Sequence, residues 1–583
     1  MKRLMKRKIQ MHLAIVRLAR FWCLVPIIVA GIFVFMSQAA YAACPVDQSQ
    51  LDETTRQRID DTLTSIETSG AVPGAAIVAV LEGTPIVCTV FGYANLEHEV
   101  KITTDSVFDM GSVSKQFTAL AILLLEQDGK LSLDDPASDH LDWFPDFGHV
   151  IRIHHLVHHT SGLKDIPTQL VLTGRSYLDA YWPSNARNLL ERQRTLNHLP
   201  GDEYSYTNMG YFVLAQIVQE ITKKSLQEFL HERVFEELGM QTAVFRKSPM
   251  QLVPNRVQSY RVRNDKFTPY PSNSAIVGPG FLHLSVKDMQ AWAIQFGDFD
   301  SPHARLLQRM TATKKLNNGS DNDYAHGLRM GSYRDMPAVV HAGSWLGYAS
   351  YQQYLPEQRL TILIASNNQL IKPINITHGL TDAILGLNDA AKDSKPMVME
   401  LPESEIEAFT GLYETGRGDF KEFIVRNGQL GLLVLPRRHF QPLEAIASTR
   451  FRFPDLAREE VEFVLDDTGR ATYYRVHVED NPPRIRDRVD RVDPDQDILA
   501  EYEGRYFSDE LETLYTIRLK DNSLVASSVA FGDINLKPAS KDNFTGVFWF
   551  PTVRFLRDKK DAVTGFNVTA NRIRHAYFRK IDW

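Results

Sequence analysis

The sequence predicts an α+β domain followed by two small all-β domains. Three observations carry this. Strand-like runs appear early and return late, with a long helical stretch between them, the order expected when one sheet closes across a helical insertion. Near residue 390 helical periodicity gives way to short strands and turns. The tail beyond that point then repeats itself 93 residues later.

Residues 49–68 read as a polar helix. Gly74–Leu81 and Ile86–Phe91 are apolar strand runs joined by Glu82-Gly83-Thr84-Pro85, a hairpin signal. From 112 to 395 helices dominate, as in Met209–Lys223 and Ser225–Leu238, where apolar residues recur at three and four. Strands return at Ala338–Val340, Ala349–Leu355 and Leu360–Ala365. The polar run Asn388–Lys395, with Pro396 and Pro402 after it, marks a boundary. In the tail, Ala408-Phe409-Thr410-Gly411-Leu412-Tyr413 matches Glu501-Tyr502-Glu503-Gly504-Arg505-Tyr506. Strand pairs follow each copy, around Phe423–Leu435 and Leu514–Ser527, and Arg450-Phe451-Arg452-Phe453-Pro454 is echoed by Val547-Phe548-Trp549-Phe550-Pro551. Two copies of a unit this long indicate duplication of a small barrel or sandwich rather than a solenoid. The expected division is 1–43 N-terminal leader, 44–395 α+β domain, 396–492 first barrel-like domain and 493–583 second.

Composition excludes several classes. With 44% hydrophobic and 23% charged residues the chain is neither disordered nor a polytopic membrane protein. Residues 1–43 carry seven basic and no acidic residues, an uncharged apolar run Trp22–Met36 and the small-residue run Ala39-Ala40-Tyr41-Ala42-Ala43. That pattern is a secretory signal, and its apolar run is shorter than the roughly 20 residues a spanning helix needs. Export to the periplasm or medium is expected, with an uncleaved anchor as the competing reading. Loss of the segment leaves 58 basic against 71 acidic residues, a net charge of −13. So acidic a chain is a poor partner for nucleic acid, and no stable membrane span remains after processing. Cys44 and Cys88 then form one candidate disulfide in an oxidising compartment. Lipidation of Cys44 is the weaker reading, because Tyr41 stands where such signals carry a Leu-like residue.

Three sequence elements bear chemistry. Ser112-Val113-Ser114-Lys115 opens an apolar helix, which places the Ser112 hydroxyl and the Lys115 amine on one face. A serine becomes nucleophilic when a neighbour takes its proton, and a desolvated lysine can do so. A second Ser-x-x-Lys, Ser161-Gly162-Leu163-Lys164, reads as a turn. Tyr206-Thr207-Asn208 precedes a helix and brings a phenol suited to proton transfer and an amide suited to holding a carbonyl. His341-Ala342-Gly343-Ser344 extends a strand, where Gly343 admits close backbone approach and the Ser344 N–H faces a developing oxyanion. His154-His155-Leu156-Val157-His158-His159 has metal-like spacing but includes no carboxylate, so no metal or other cofactor is expected. Gly416-Arg417-Gly418-Asp419 reads as a plain turn.

In this order, the three elements resemble the signatures of penicillin-recognising serine enzymes: class C β-lactamases, D-alanyl-D-alanine carboxypeptidases, family VIII-type esterases and D-aminopeptidases. Gly92-Tyr93-Ala94-Asn95-Leu96-Glu97, His159-Thr160-Ser161-Gly162-Leu163 and Gly278-Pro279-Gly280-Phe281 extend the resemblance across about residues 50–390. It implies a β-lactamase/transpeptidase-like domain, an antiparallel sheet flanked by helices plus an all-helical part. It further implies that Ser112 is the acylated nucleophile, Lys115 its proton partner and Tyr206 the general base that later protonates the leaving group. Asn208 would position the substrate amide, and the Ser112 and Ser344 N–H groups would form the oxyanion hole. His341 stands where β-lactamases carry a lysine, and a histidine with an ordinary pKa is mostly neutral at pH 7. Aminopeptidase or esterase action on a small molecule or short peptide is therefore expected over β-lactamase or carboxypeptidase action. D-aminopeptidases likewise carry two β-barrel domains behind the catalytic one. The reading from another class is a non-hydrolysing penicillin-binding or scaffold protein.

Overall fold

The computed structural model describes residues 44–582, apart from 69–72, 299–300, 302, 388–397, 416–417, 435–438, 455, 479–482 and 548. The export segment 1–43 and the polar junction 388–395 lie outside the described residues, as do Gly416 and Arg417 of the tail turn.

An antiparallel seven-stranded sheet forms the catalytic half. Its order is Val100–Lys101, Thr84–Asn95, Gly74–Leu81, Leu360–Ser366, Tyr348–Leu355, Met336–Trp345 and Arg329–Tyr333. The early strand run thus pairs with the late ones, Ala75 opposite Ser366 through Leu81 opposite Leu360. Both faces are covered, which is why Gly74–Leu81 is apolar at nearly every position. Ala75, Ile77 and Ala79 pack with Ile59 and Leu380 of the helices Glu53–Thr68 and Pro373–Leu385. Ala76, Val78 and Val80 face the opposite core with Phe117 and Trp292. There the helix Lys115–Gln127 is buried at every position from Lys115 to Leu125. A helix apolar all round is a central one.

The expected helix Ser225–Leu238 differs from observation. Leu226–Leu230 is α-helical, and His231–Phe235 continues as a π turn, with the Glu236 N–H donating to the His231 carbonyl. The wider turn rotates Val234 and Phe235 onto the buried face carried by Leu230. The strand expected at Ala338–Val340 is longer, reaching Trp345 and carrying His341–Ser344 along its inner end. Cys44 and Cys88 are joined by a disulfide with Cα atoms 5.6 Å apart, fastening the N-terminal segment to the second strand.

The tail folds as the repeat implies. Gly504–Ser508 through Ile573–Ile581 form a closed eight-stranded up-and-down barrel. The preceding copy has the same pairing order, and its two outermost strands, His439–Pro442 and Glu444–Ala445, are consecutive and separated by Leu443 alone. One bent strand thereby closes that sheet as well. The duplicated motif has a structural reason: the Tyr413 hydroxyl donates to the Phe409 carbonyl (2.9 Å), and the Tyr506 hydroxyl to that of Tyr502 (2.7 Å). Each closes one barrel end over a glycine of positive φ, 146° at Gly411 and 149° at Gly504.

The second barrel is docked on the catalytic domain. Lys164 and Glu510 form a buried ion pair of 2.6 Å, and the Tyr515 hydroxyl donates to the Leu172 carbonyl (3.0 Å). The first barrel has its own core around Phe409, Phe423 and Phe463. Among the described residues no helix is long and apolar enough to cross a membrane.

Candidate active site

The turn that carries Ser112 is set by close contacts. Asp109 ends a short strand, and its carboxylate accepts from the Gly111 N–H (2.9 Å). Burial raises the Asp109 carboxyl to about 6, against the pull of Arg246 and Arg256. Gly111 has φ of 51°, and a Cβ there would sit 2.8 Å from the Ser344 nitrogen, so only glycine allows strand and turn to meet. Ser112 lies in the 3₁₀ turn Gly111–Ser114, which runs directly into the Lys115–Gln127 helix.

Lys115 is fully buried; its Nζ donates to Asn208 Oδ1 (2.9 Å) and the Pro279 carbonyl (2.7 Å) and lies 3.1 Å from Ser112 Oγ, so the lone pair of the neutral amine is left for the Ser112 hydroxyl. Burial, helped by the Arg572 charge and opposed by Asp165, holds its pKa well below the usual 10.5. The neutral amine is favoured because ionisation in a dry site has little solvation to draw on. The Tyr206 phenol lines the same cavity as the Ser112 hydroxyl. Its ring lies 4.8 Å from Lys115 Nζ on one side and 4.6 Å from the Arg572 guanidinium. Burial pushes this phenol above its ordinary range, so it is protonated at pH 7. Asn208 is the first residue of the helix Asn208–Thr222, capped by the Thr207 hydroxyl. Its N–H and Nδ2 both donate to Asp165 Oδ1, at 2.8 and 3.0 Å.

His341 points at a different partner from the one its place in the motif implies. Its Nε2 lies 2.8 Å from the Tyr324 hydroxyl and its Nδ1 2.8 Å from the Ala342 carbonyl. Since a carbonyl only accepts, Nδ1 carries the proton and Nε2 accepts from Tyr324. Burial pushes the imidazole down to about 3. His341 is therefore neutral at pH 7 for a stronger reason than an ordinary histidine pKa. Gly343 packs on the nucleophile turn so closely that a Cβ would collide with the Met110 carbonyl and lie 3.1 Å from the Ser112 nitrogen. That contact brings the Ser112 and Ser344 N–H groups to one end of a cavity of about 640 Å³.

Ser112, Tyr206, Asn208, His341, Gly343 and Ser344 all line this cavity, with Lys115 directly beneath. Other residues were not anticipated. Pro279 supplies its carbonyl to Lys115 from the Gly-Pro-Gly-Phe run, which the resemblance flagged without assigning a role. Asp165 orients Asn208, Tyr324 holds His341, and Arg572 enters from the second barrel. Only Asp165 had a nearby sequence signal, directly after the second Ser-x-x-Lys. In that copy Lys164 is committed to Glu510 and to the Thr195 hydroxyl (2.9 Å). Tyr93 and Asn95 lie elsewhere, Asn95 bonding Gln258 at 3.2 Å. In the histidine run, His158 Nδ1 bonds the Tyr324 carbonyl (2.9 Å), and His159 packs 4.2 Å from the Tyr206 ring. Among the described residues no group of three or more His, Cys, Asp or Glu is placed to hold a metal ion.

The sequence profile of the family described as Beta-lactamase matches residues 52–373, more than half of the chain. The chain belongs to the beta-lactamase family. This beta-lactamase-family chain is a serine hydrolase of β-lactamase/transpeptidase-like fold with C-terminal β-barrels. It is 26% identical over 474 residues to a D-aminopeptidase of Gluconobacter oxydans, covering 79% of this chain and 84% of that protein. A D-aminopeptidase of Brucella anthropi is 27% identical over 303 residues, 51% of this chain and 56% of that one. Among solved structures, the octameric penicillin-binding protein homologue from Pyrococcus abyssi superposes with a TM-score of 0.52 at 24% identity, over 74% of this chain and 99% of that one. That likeness is one of fold.

Proposed function

We propose that the protein is an exported hydrolase forming an acyl-enzyme at Ser112, with amide or ester bonds of short peptides, amino-acid amides or esters as substrates. The observation carrying this reading is the 3.1 Å contact between the Ser112 hydroxyl and a buried amine whose neutral form is favoured. Lys115 takes the Ser112 proton as the oxygen attacks the substrate carbonyl carbon. The Ser112 and Ser344 N–H groups receive the oxyanion. Tyr206, a neutral phenol, donates its proton to the leaving nitrogen or oxygen as that bond breaks, and the Lys115 ammonium returns a proton to Tyr206. The division of labour is thus amine as base and phenol as acid, which the burial of both groups favours over a phenolate base. Water then attacks the Ser112 ester by the reverse route. Resemblance to D-aminopeptidases supports the substrate class, and a neutral His341 supports it over the carboxylate-reading lysine of β-lactamases. Export is supported by the N-terminal signal pattern and by the Cys44–Cys88 disulfide, a bond that persists in oxidising compartments.

Intact-mass measurement tests this with a D-alanine amide, a short-chain para-nitrophenyl ester and a chromogenic cephalosporin. A covalent adduct and turnover are expected with the amide or ester, and neither with Ser112→Ala. Tyr206→Phe should lower amide turnover by about 10²–10⁴ while sparing much of the nitrophenyl ester turnover, because nitrophenolate departs without a proton. Rapid turnover of the cephalosporin alone would reverse the ranking of substrates, and adduct without turnover would favour a penicillin-binding protein.

A further inference from the structure

The second barrel places a cation in the active-site cavity. Strand Val563–Ala570 turns into Ile573–Ile581 through Asn571 and Arg572, with Ala570 paired to Ile573 and Asn571 in the left-handed region at φ 48°. Both turn residues line the cavity. The turn is held in place: Asn197 Nδ2 donates to the Arg572 carbonyl (3.0 Å) and Asn197 Oδ1 accepts from the Arg574 N–H (2.7 Å). Arg574 in turn pairs with Glu203 at 2.8 Å, and the Lys164–Glu510 pair anchors the same barrel below.

The charge inventory around the cavity decides what this cation does. His341 is neutral, and Lys115, whose neutral form burial favours, is engaged by Ser112, Asn208 and the Pro279 carbonyl. Arg329 donates to the Tyr204 hydroxyl (2.9 Å) and pairs with Asp323 at 3.2 Å. Arg572 lies over the Tyr206 ring, 40% exposed and in a loose ion pair of 3.9 Å with the buried Asp165 Oδ2, while Asp165 Oδ1 is engaged by Asn208. Its planar fork, seated at the wall formed by Tyr206, Asn208 and Asp165, matches a carboxylate in shape and charge. The same charge repels an ammonium, Asp165 offsetting part of it, its second oxygen already taken up by Asn208.

We propose that Arg572, delivered by the second barrel, is the specificity-determining residue of this site and selects acyl groups bearing a carboxylate over those bearing an ammonium. The inference rests on the acyl-enzyme reading of Ser112 and narrows its substrates: dicarboxylic half-amides and half-esters, and acyl amino acids with an acidic side chain, rank above free amino-acid amides.

The test holds the leaving group constant and changes only the acyl charge. Para-nitrophenyl esters of valeric acid, of glutaric acid as its half-ester, and of omega-trimethylammonio-valeric acid are hydrolysed by the full chain, with Ser112→Ala as background. The glutaryl ester should exceed the valeryl ester in kcat/KM by about tenfold, the yield of one charge-assisted contact, and the cationic ester should be the poorest. Arg572→Gln should erase the difference and Arg572→Glu should invert it. Ratios between substrates are independent of the folded fraction of each variant. Equal rates in the wild type, or an anionic preference that survives Arg572→Gln, overturns the inference while Ser112-dependent hydrolysis stands. Absence of both turnover and fluorophosphonate labelling instead overturns the acyl-enzyme reading, and the inference with it.

Discussion

Lys115 shows how one side chain's chemistry follows from where it is buried. In water its amine would be protonated near neutral pH and useless as a base. Buried beneath the cavity and beside the Arg572 charge, the amine favours its uncharged form. The amine is the reactive form, so kcat/KM should be lost as pH falls through the Lys115 pKa, along a limb well below the ordinary lysine range. His341, at about 3, and Tyr206, pushed above its usual 10, both stay neutral around pH 7. Because Arg572 disfavours the ammonium, Arg572→Gln should move the limb to higher pH. A pH–rate profile on the neutral valeryl ester, which lacks any charge for Arg572 to contact, reads that shift; an unmoved limb would disconnect the two residues.

At the scale of elements, the site is a meeting of the nucleophile turn with the edge of strand Met336–Trp345. Two glycines, Gly111 and Gly343, permit it. In Gly343→Ala the added Cβ would meet the Met110 carbonyl and the Ser350 hydroxyl, so turn and strand must separate. Ser350 already donates to the Met110 carbonyl at 2.7 Å, and that bond would go as well. Separation moves the two oxyanion donors apart, for which a loss of about 10²–10³ in kcat is expected. Steady-state kinetics beside a thermal melt checks it, the loss in kcat being larger than any change in stability accounts for. The strand and hairpin runs of the early chain were legible because apolar runs bounded by turn residues have one reading. The π turn at His231–Phe235 was not, since its local pattern equals that of an ordinary helix.

The whole molecule couples a duplicated tail to a catalytic domain through contacts that include a buried charge pair, Lys164 with Glu510. Lys164 is enclosed and its pKa lowered by burial, an effect the Glu510 carboxylate opposes. The Glu510 carboxylate also accepts from the Arg194 N–H at 2.6 Å and the Thr195 N–H at 3.2 Å. Glu510→Gln removes the anion and leaves a buried amine unpaired, a change that costs about 3–5 kcal/mol in other proteins. Denaturant unfolding should show the loss. If the barrel loosens on its seat, the preference for the glutaryl ester should fall along with stability, while hydrolysis of the valeryl ester persists. A variant that keeps both would show that docking depends on other contacts.

The amino-acid order alone made the candidate site legible: a serine one helical turn from a lysine, then a phenol, an amide and a glycine-bearing strand, in a sequence of motifs readable without coordinates. It also determined the duplicated tail, since repeated Gly-x-Tyr motifs mark the same closure twice. Tertiary structure decided the electrostatics and the substrate wall. Whether Lys115 is neutral, what His341 bonds and which cation enters the cavity depend on burial and on contacts between residues hundreds of positions apart, such as Asp165 with Arg572. Local pattern carries information about neighbours along the chain. Charge state and specificity are set by neighbours in space.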